Sequence, residues 1–212
     1  MPRVAFRLWL KPDPEGIEVY VWNHLNPFDG LYDAIREAGI EHYTIWLDGA
    51  DLFLTREGDT PEKGEKMDLS DPVQQRWADT LTPLFDERVK REGAGHPTGV
   101  FSLDPDGAVG PAQMTYRVGL RAGATDEVAA IHRAATDELR DALRAAGITR
   151  QWTWVEDGSA WTYRECADLD ATEAALAASP VQAAWLSSMT DLLDDPSRRE
   201  GPRRTREVFR CD

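Results

Sequence analysis

Cysteine is scarce in this chain, which has only Cys166 and Cys211 among its 212 residues. Two cysteines are too few for a disulfide framework, and neither belongs to a C-x-x-C motif. Disulfides are also rare in the cytoplasm, where thiols stay reduced. We therefore predict two free thiols and a cytoplasmic location.

Long apolar runs and excess positive charge are lacking as well. No stretch approaches the ~20 apolar residues that span a bilayer. The first residues show no charged region followed by an apolar one, as a signal peptide would. Lysine and arginine number 24 against 38 aspartate and glutamate, which gives a net charge of −14. Such a charge repels phosphate backbones and anionic lipids, so we expect neither nucleic acid nor a membrane as a partner.

The motifs that hold cofactors and metals are also missing. The sequence has no Gly-rich phosphate loop, no His/Cys/Asp cluster with metal-ligand spacing and no nucleophile elbow. We therefore predict no metal and no cofactor.

What the chain does have is an internal repeat. From the first histidine onward, residues recur 108 positions later without a gap. Solenoid repeats have periods of roughly 20–50 residues, whereas this period is the size of a small domain, roughly 100 residues. We predict a tandem fusion of copy one (residues 1–104) and copy two (residues 113–212), joined by a Pro/Gly-rich linker (residues 105–112). The two copies would pair within one chain, so we expect a monomer. Matched pairs include His24 and His132, Gly39 and Gly147, Trp46 and Trp154, Trp77 and Trp185, and Phe101 and Phe209.

Each copy shows the same order of predicted elements: a strand, a helix, two strands, a helix and a short final strand. Side chains alternate in character from Val4 to Leu10, which is the period of a strand. Pro27 interrupts the first helix of copy one, whereas copy two has no proline there and predicts one helix over 126–146. The βαββαβ order is the ferredoxin-like unit of an α+β protein. Two such sheets packed face to face would form a pseudo-symmetric dimeric α/β barrel with a cavity between them.

A set of residues in copy one has a spacing that is typical of one family. They are Tyr20, His24, Asn26-Pro27, Gly39, Tyr43, Asp48 and Gln75-Arg76-Trp77. The pattern resembles the L-rhamnose mutarotase family, which belongs to the dimeric α/β-barrel superfamily. The resemblance covers all of copy one and, more faintly, all of copy two. Family members normally have one domain that pairs with itself, whereas this chain would supply both halves.

The resemblance also implies roles for particular residues. In the family a histidine is the general acid/base, and two tyrosines and a pair of tryptophans hold the sugar. This chain departs from the pair, because its second position is Ala78 in copy one and Leu186 in copy two. Mutarotation takes a proton from the anomeric hydroxyl and delivers one to the ring oxygen, and histidine titrates in the range that suits such a shuttle. His132 is the second catalytic candidate, although copy two has Val128 and Gln151 where the tyrosines stand. In copy one the implied residues are His24, Tyr20, Tyr43 and Trp77.

Strand positions add four candidate substrate-binding residues in copy one, which are Arg7, Trp9, Trp46 and Arg56. Charges in strands usually mark a solvated face, and core packing is the alternative role for the tryptophans, Trp77 included. In the predicted barrel, however, the face that carries Arg7 becomes the interior, where a charge needs partners. Arg56 alternates with Glu57, so only one of them can point inward. We predict that the arginine does.

Three hypotheses about function follow. The first is a cofactor-free mutarotase acting on L-rhamnose or a related deoxysugar, with copy one as the principal site. The second is a barrel-type cyclase, isomerase or cofactor-independent monooxygenase that acts on an aromatic or polycyclic intermediate of secondary metabolism. The third is a non-catalytic small-molecule binding protein, which exposed histidines would favour.

Overall fold

The computed structural model describes residues 3–59, 61, 70–194 and 203–211. The chain divides into two compact units, with Met1–His96 and Arg206–Asp212 in unit 1 and Pro97–Thr205 in unit 2. None of the described helices is long and apolar enough to cross a membrane. Cys166 and Cys211 are buried free thiols.

Each copy keeps the predicted order of a strand, a helix, two strands, a helix and a final strand, and the structure adds helices at 87–92 and 169–178 and a two-residue strand at 203–204 that the sequence did not predict. In chain order the elements are β1 (Arg3–Trp9), α1 (Pro14–Leu25), α2 (Leu31–Glu37), β2 (Ile40–Asp48), β3 (Asp51–Gly58), α3 (Pro72–Leu81), a 3₁₀ turn (Thr82–Leu84), α4 (Glu87–Glu92), β4 (Thr98–Leu103), β5 (Ala112–Gly119), α5 (Thr125–Arg133), α6 (Asp137–Ala145), β6 (Ile148–Glu156), β7 (Ser159–Cys166), α7 (Leu169–Ala178), α8 (Pro180–Ser188), a second 3₁₀ turn (Thr190–Leu192), β8 (Arg203–Arg204) and β9 (Arg206–Cys211).

Each unit is built on one antiparallel sheet, which confirms the α+β class. The strand order is β1-β3-β2-β9 in unit 1 and β4-β6-β7-β5-β8 in unit 2. In unit 1, alternate residues of β1 such as Phe6 pack with Tyr20 and Val21 of α1 and with Trp77 of α3. The alternation in the sequence therefore marks the face that the helices cover, because successive strand side chains point to opposite faces.

The last strand of each copy joins the sheet of the other copy. β4 ends copy one but pairs with β6, with Ser102 opposite Trp152. β9 ends copy two but pairs with β2, with Thr44 opposite Arg210. The compact units therefore differ from the sequence copies 1–104 and 113–212 by the exchange of one strand in each direction. The physical reason is that alternation specifies which face of a strand is buried, but not which sheet edge it joins.

The helix predicted over 126–146 is wrong, because the structure breaks it into α5 and α6. Thr136 lies at the N-cap of α6, with extended backbone, and its hydroxyl accepts a hydrogen bond from the Leu139 amide at 3.3 Å. A capping threonine can begin a new helix without any proline nearby. Both copies therefore break their first helix at the same point. Gly39 and Gly147 then follow α2 and α6 with φ of 77° and 92°, the left-handed conformation that glycine adopts readily after the end of a helix.

Candidate active site

His24 lies in the last turn of α1 and points into the core of unit 1. The helix begins at Pro14 behind an Asp13 cap, whose carboxylate accepts from the Gly16 amide at 3.1 Å. The imidazole Nδ1 is 2.9 Å from the backbone oxygen of Tyr20. Because a carbonyl oxygen can only accept, Nδ1 carries the hydrogen, and Nε2 of the neutral ring keeps its lone pair. The fold therefore presents His24 as a base through Nε2.

Aromatic rings surround the imidazole. The ring centroid of Tyr20 is 4.1 Å away, that of Trp77 4.8 Å and that of Phe209 5.6 Å. The last two meet the imidazole edge to face, which is a favoured arrangement for aromatic pairs. Only 3% of His24 is exposed. The site is thus a dry aromatic enclosure, closed on one side by a residue from the far end of the chain.

This enclosure controls the protonation of its members. Burial lowers the pKa of His24 to about 4, although the hydrogen bond to the Tyr20 backbone opposes the shift. Burial also raises the pKa of the Tyr20 phenol, and the nearby Tyr43 adds to that effect. Near neutral pH the site therefore holds an uncharged imidazole base beside a phenol that keeps its proton.

Tyr43 and Arg56 bring the sheet into this site. They stand opposite each other on β2 and β3, and the Arg56 Cζ lies 4.8 Å from the Tyr43 ring centroid and 5.1 Å from that of Phe6. Its Nε and Nη1 atoms are buried with no hydrogen-bond partner in the part of the chain that the structure describes. The guanidinium is therefore held by the faces of two rings and has donors left for a ligand.

The predicted direction of Arg56 is wrong. The residue shares the helix-covered face with Val4, its partner across the sheet. Glu57 takes the opposite face, where it forms an ion pair with Arg3. Burying a carboxylate requires a cation partner, and Arg3 supplies it on that face. Arg56 instead lies on the helix-covered face of the sheet, against the rings of Tyr43 and Phe6.

Three predicted site residues lie on the other face of the sheet. Arg7 donates to Asp51 at 2.6 Å, and the Trp46 indole donates to the Thr44 hydroxyl at 3.0 Å. Trp9 stacks under the guanidinium of Arg88, whose Cζ is 3.9 Å from the ring centroid. The structure therefore places Arg7, Trp9 and Trp46 on the face away from His24. Of the other predicted residues, Tyr20 and Trp77 contact the imidazole. Tyr43 is linked to it through the Phe209 ring, and Arg56 lies behind Tyr43.

Copy two keeps the imidazole but replaces its polar neighbours. His132 is buried, with its Nδ1 2.8 Å from the Val128 backbone oxygen and its ring 4.9 Å from Trp185. Burial lowers its pKa as well. Arg164, the counterpart of Arg56, donates to Gln151 at 2.8 Å. Copy two thus keeps the base, has Val128 and Gln151 at the positions of Tyr20 and Tyr43, and has an arginine that is already engaged.

Sequence reasoning missed Phe209 as a site residue. Its ring contacts His24, Tyr43 and Tyr32, and it stacks on the last at an interplanar angle of 13°. The final Val-Phe pair is visible in the sequence of both copies, but the sequence does not show that the second pair serves the first copy. Within the described residues, no three His, Cys, Asp or Glu side chains come together as a metal site requires.

The low pKa of His24 predicts a loss of stability in acid. Its pKa is about 4 in the folded chain and ~6.5 in an unfolded one, so between these values the unfolded state binds more protons. The contribution is complete above the unfolded pKa and is lost as the pH falls toward 4, by about 3 kcal/mol. We expect the free energy of unfolding in urea to fall more steeply between pH 7 and 4.5 for the wild type than for His24→Gln. Parallel pH dependences would contradict the assignment.

Comparisons with known proteins show the family of the chain. A sequence model of L-rhamnose mutarotase matches residues 3–103 and again residues 113–211. L-rhamnose mutarotases of Burkholderia cenocepacia (strain HI2424) and Burkholderia orbicola (strain MC0-3) are 35% identical over 81 residues, which is 38% of this chain and 78% of each relative.

Solved structures are similar in fold alone. A putative monooxygenase from Fusobacterium nucleatum aligns with a TM-score of 0.53 and 8% identity, covering 99% of this chain and 92% of that one. A putative monooxygenase from Lactobacillus acidophilus aligns with a TM-score of 0.45 and 10% identity, covering 99% and 93%.

Proposed function

Because the chain belongs to the L-rhamnose mutarotase family, we propose that it interconverts the anomers of L-rhamnose or a related deoxysugar without a cofactor, at the site around His24. The observation that carries this proposal is the hydrogen bond from His24 Nδ1 to the Tyr20 backbone. It fixes the tautomer that leaves Nε2 free to take a proton. The relatives are isomerases by name, and the site supplies the acid/base group that such a reaction needs.

In the proposed mechanism one imidazole moves one proton. Nε2 of His24 takes the proton from the anomeric hydroxyl, and the bond between the anomeric carbon and the ring oxygen breaks. The imidazolium returns that proton to the ring oxygen, which gives the open-chain aldehyde. Rotation about the bond beside the aldehyde and the reverse steps close the ring as the other anomer. The pKa of about 4 favours release of the proton once it is bound.

The other residues of the site would bind and orient the sugar. The Tyr20 and Tyr43 hydroxyls can donate to the ring oxygen as charge develops there. Arg56 has two buried nitrogens with no hydrogen-bond partner among the described residues, and sugar hydroxyls are acceptors that would satisfy them. The Trp77 ring offers an apolar wall of the kind that ligand pockets use. These roles are assigned by geometry and by family resemblance together.

Saturation-transfer NMR on the anomeric protons tests this function. We expect the protein to accelerate the exchange between α- and β-L-rhamnose well beyond the buffer rate, and to act more weakly on a fully hydroxylated hexose such as D-glucose. The assay needs no coupling enzyme and observes both anomers directly. Absence of acceleration with L-rhamnose and with L-fucose, a second 6-deoxysugar, would refute a deoxysugar mutarotase.

A second candidate function rests on the aromatic lining of the site. Tyr20, Trp77 and Phe209 present ring surfaces around the imidazole, and such surfaces also suit a planar polycyclic phenol. In that case Nε2 would deprotonate the phenol, as a cyclase or a cofactor-independent monooxygenase of secondary metabolism requires. Oxygen uptake or a spectral change with a hydroxylated anthracene, but no sugar anomerisation, would favour this function.

The binding-protein hypothesis has lost the observation that would favour it. It would be favoured by exposed histidines, but His24 and His132 are only 3% and 5% exposed. We also propose that the protein is cytoplasmic and monomeric.

A further inference from the structure

Unit 2 has a groove that has no assigned role. It lies between the α5–α6 turn and α8 and has a volume of about 600 Å³. Pockets of this size, roughly 300–1,000 Å³, hold small molecules. The wall is mostly apolar, with one carboxylate at its edge. Its lining includes Thr136, Glu138, Leu139, Val181, Ala184 and Trp185.

Copy one fills the equivalent place with its own side chains. Thr136 and Ala184 correspond, at the repeat offset of 108, to Phe28 and Arg76. The Phe28 ring meets the Trp77 ring edge to face at 5.3 Å, and the Arg76 Cζ lies 4.3 Å above the Phe28 ring. Copy one therefore shows what this place accepts: an aromatic ring against the tryptophan, with a cation stacked on that ring.

Copy two has lost both groups and has kept the tryptophan. Thr136 and Ala184 are too small to occupy the space of a benzyl group and a guanidinium. The indole Nε1 of Trp185 is buried without a hydrogen-bond partner among the described residues. Glu138, which stands where copy one has Gly30, adds a carboxylate that makes no ion pair with any described residue.

We propose that this groove binds a small aromatic cation. The aromatic ring would take the place of Phe28 against Trp185, and the cation would take the place of Arg76, where Glu138 can pair with it. Edge-to-face contact between rings and a carboxylate for the ammonium are both specific, directional interactions. The site is separate from the proposed sugar site, because it lies in unit 2 and the sugar site surrounds His24 in unit 1.

Two small probes test the proposal on the full chain. 2-Phenylethylamine is a cation at neutral pH, and 2-phenylethanol is its neutral counterpart of nearly the same shape. Isothermal titration calorimetry should show saturable binding of the amine with Kd of about 1 mM or tighter. The alcohol should bind about fivefold more weakly, because Glu138 is exposed and such pairs are modest. In ¹⁵N spectra the Trp185 indole resonance should shift with the amine.

Variants that copy the first repeat identify the location. Thr136→Phe and, separately, Ala184→Arg should each weaken amine binding more than tenfold, since they restore one of the two groups that fill copy one. Ala184→Arg lies on the exposed side of α8 and leaves the α6 cap intact, so it stays informative if Thr136→Phe unfolds. Glu138→Gln should remove the preference for the amine over the alcohol.

The reciprocal change provides the matched control. Phe28→Thr combined with Arg76→Ala should create a second groove beside Trp77 and raise the binding stoichiometry of the neutral alcohol. The proposal is overturned if the wild type shows no saturable binding of the amine, or if Ala184→Arg and Thr136→Phe both bind it unchanged. Equal affinity for amine and alcohol would overturn the cation in particular.

Discussion

Deleting the last seven residues, 206–212, is expected to unfold unit 1 and to leave unit 2 folded. β9 is an edge strand of the unit 1 sheet, paired only with β2 among the described strands. Val208, Phe209 and Cys211 are 1%, 4% and 2% exposed and belong to the core that holds His24 in place. Burial of a large apolar side chain contributes about 1.5–3 kcal/mol. Losing three buried residues and a ladder of hydrogen bonds approaches the whole stability of a domain, ~5–15 kcal/mol.

Hydrogen exchange measures this result unit by unit. In the truncated chain the amides of β2 and β3 should lose their protection, whereas those of β6 and β7 should keep it. Arg206→Ala is the matched control, because that side chain is exposed and its hydrogen bond within the described part of the chain is to the exposed Glu18 at 3.3 Å. It should leave both units protected. A truncated chain in which unit 1 keeps its protection would show that β9 is dispensable.

Replacing His24 by alanine is expected to reduce mutarotation at least 100-fold, and replacing His132 by less than threefold. A positioned acid/base group contributes about 10²–10⁴ in rate. Both imidazoles have the same tautomer, fixed by the backbone carbonyl four residues earlier. His24, however, has the Tyr20 phenol ring 4.1 Å away, whereas His132 has Val128 at that position, and orientation of the substrate is a large part of catalysis.

The comparison is made under identical conditions by anomeric saturation transfer, at substrate concentrations below and above saturation. Tyr20→Phe keeps the ring beside His24 and removes only the hydroxyl, so it separates packing from hydrogen bonding. Urea unfolding of each variant confirms that the fold is intact. A loss at His132 equal to or greater than that at His24 would place the working site in copy two.

The sequence contains enough to predict the class of fold but not its connections. The repeat and the alternation from Val4 to Leu10 predict a sheet with one covered face, and the structure confirms this. Side-chain alternation does not predict which strand the final strand of each copy pairs with. Any strand edge offers the same backbone donors and acceptors, so a pattern of side chains does not distinguish β1 of the same copy from β2 of the other.

The part of the candidate site that lies on one helix was predictable from the sequence. Tyr20 and His24 are four residues apart on α1, so they must share a face, and they do. The direction of Arg56 was not predictable, because β3 is apolar on both faces at Leu52, Phe53 and Leu54. Polar and apolar residues do not alternate along β3, so its sequence does not show which face of the sheet each side chain is on. The face of Arg56 follows only from how β3 pairs with β1 and β2.

The strand exchange also determines whether cleavage of the chain in the linker would separate its two halves. A nick near Gly107, in the linker, would divide the chain into two pieces, each of which still holds a strand of the other's sheet. Such a nicked molecule would be a complementing pair of fragments rather than two released domains. The intact linker therefore determines only the effective concentration of each half for the other. The fold gains from fusion a fixed one-to-one stoichiometry that dilution cannot change.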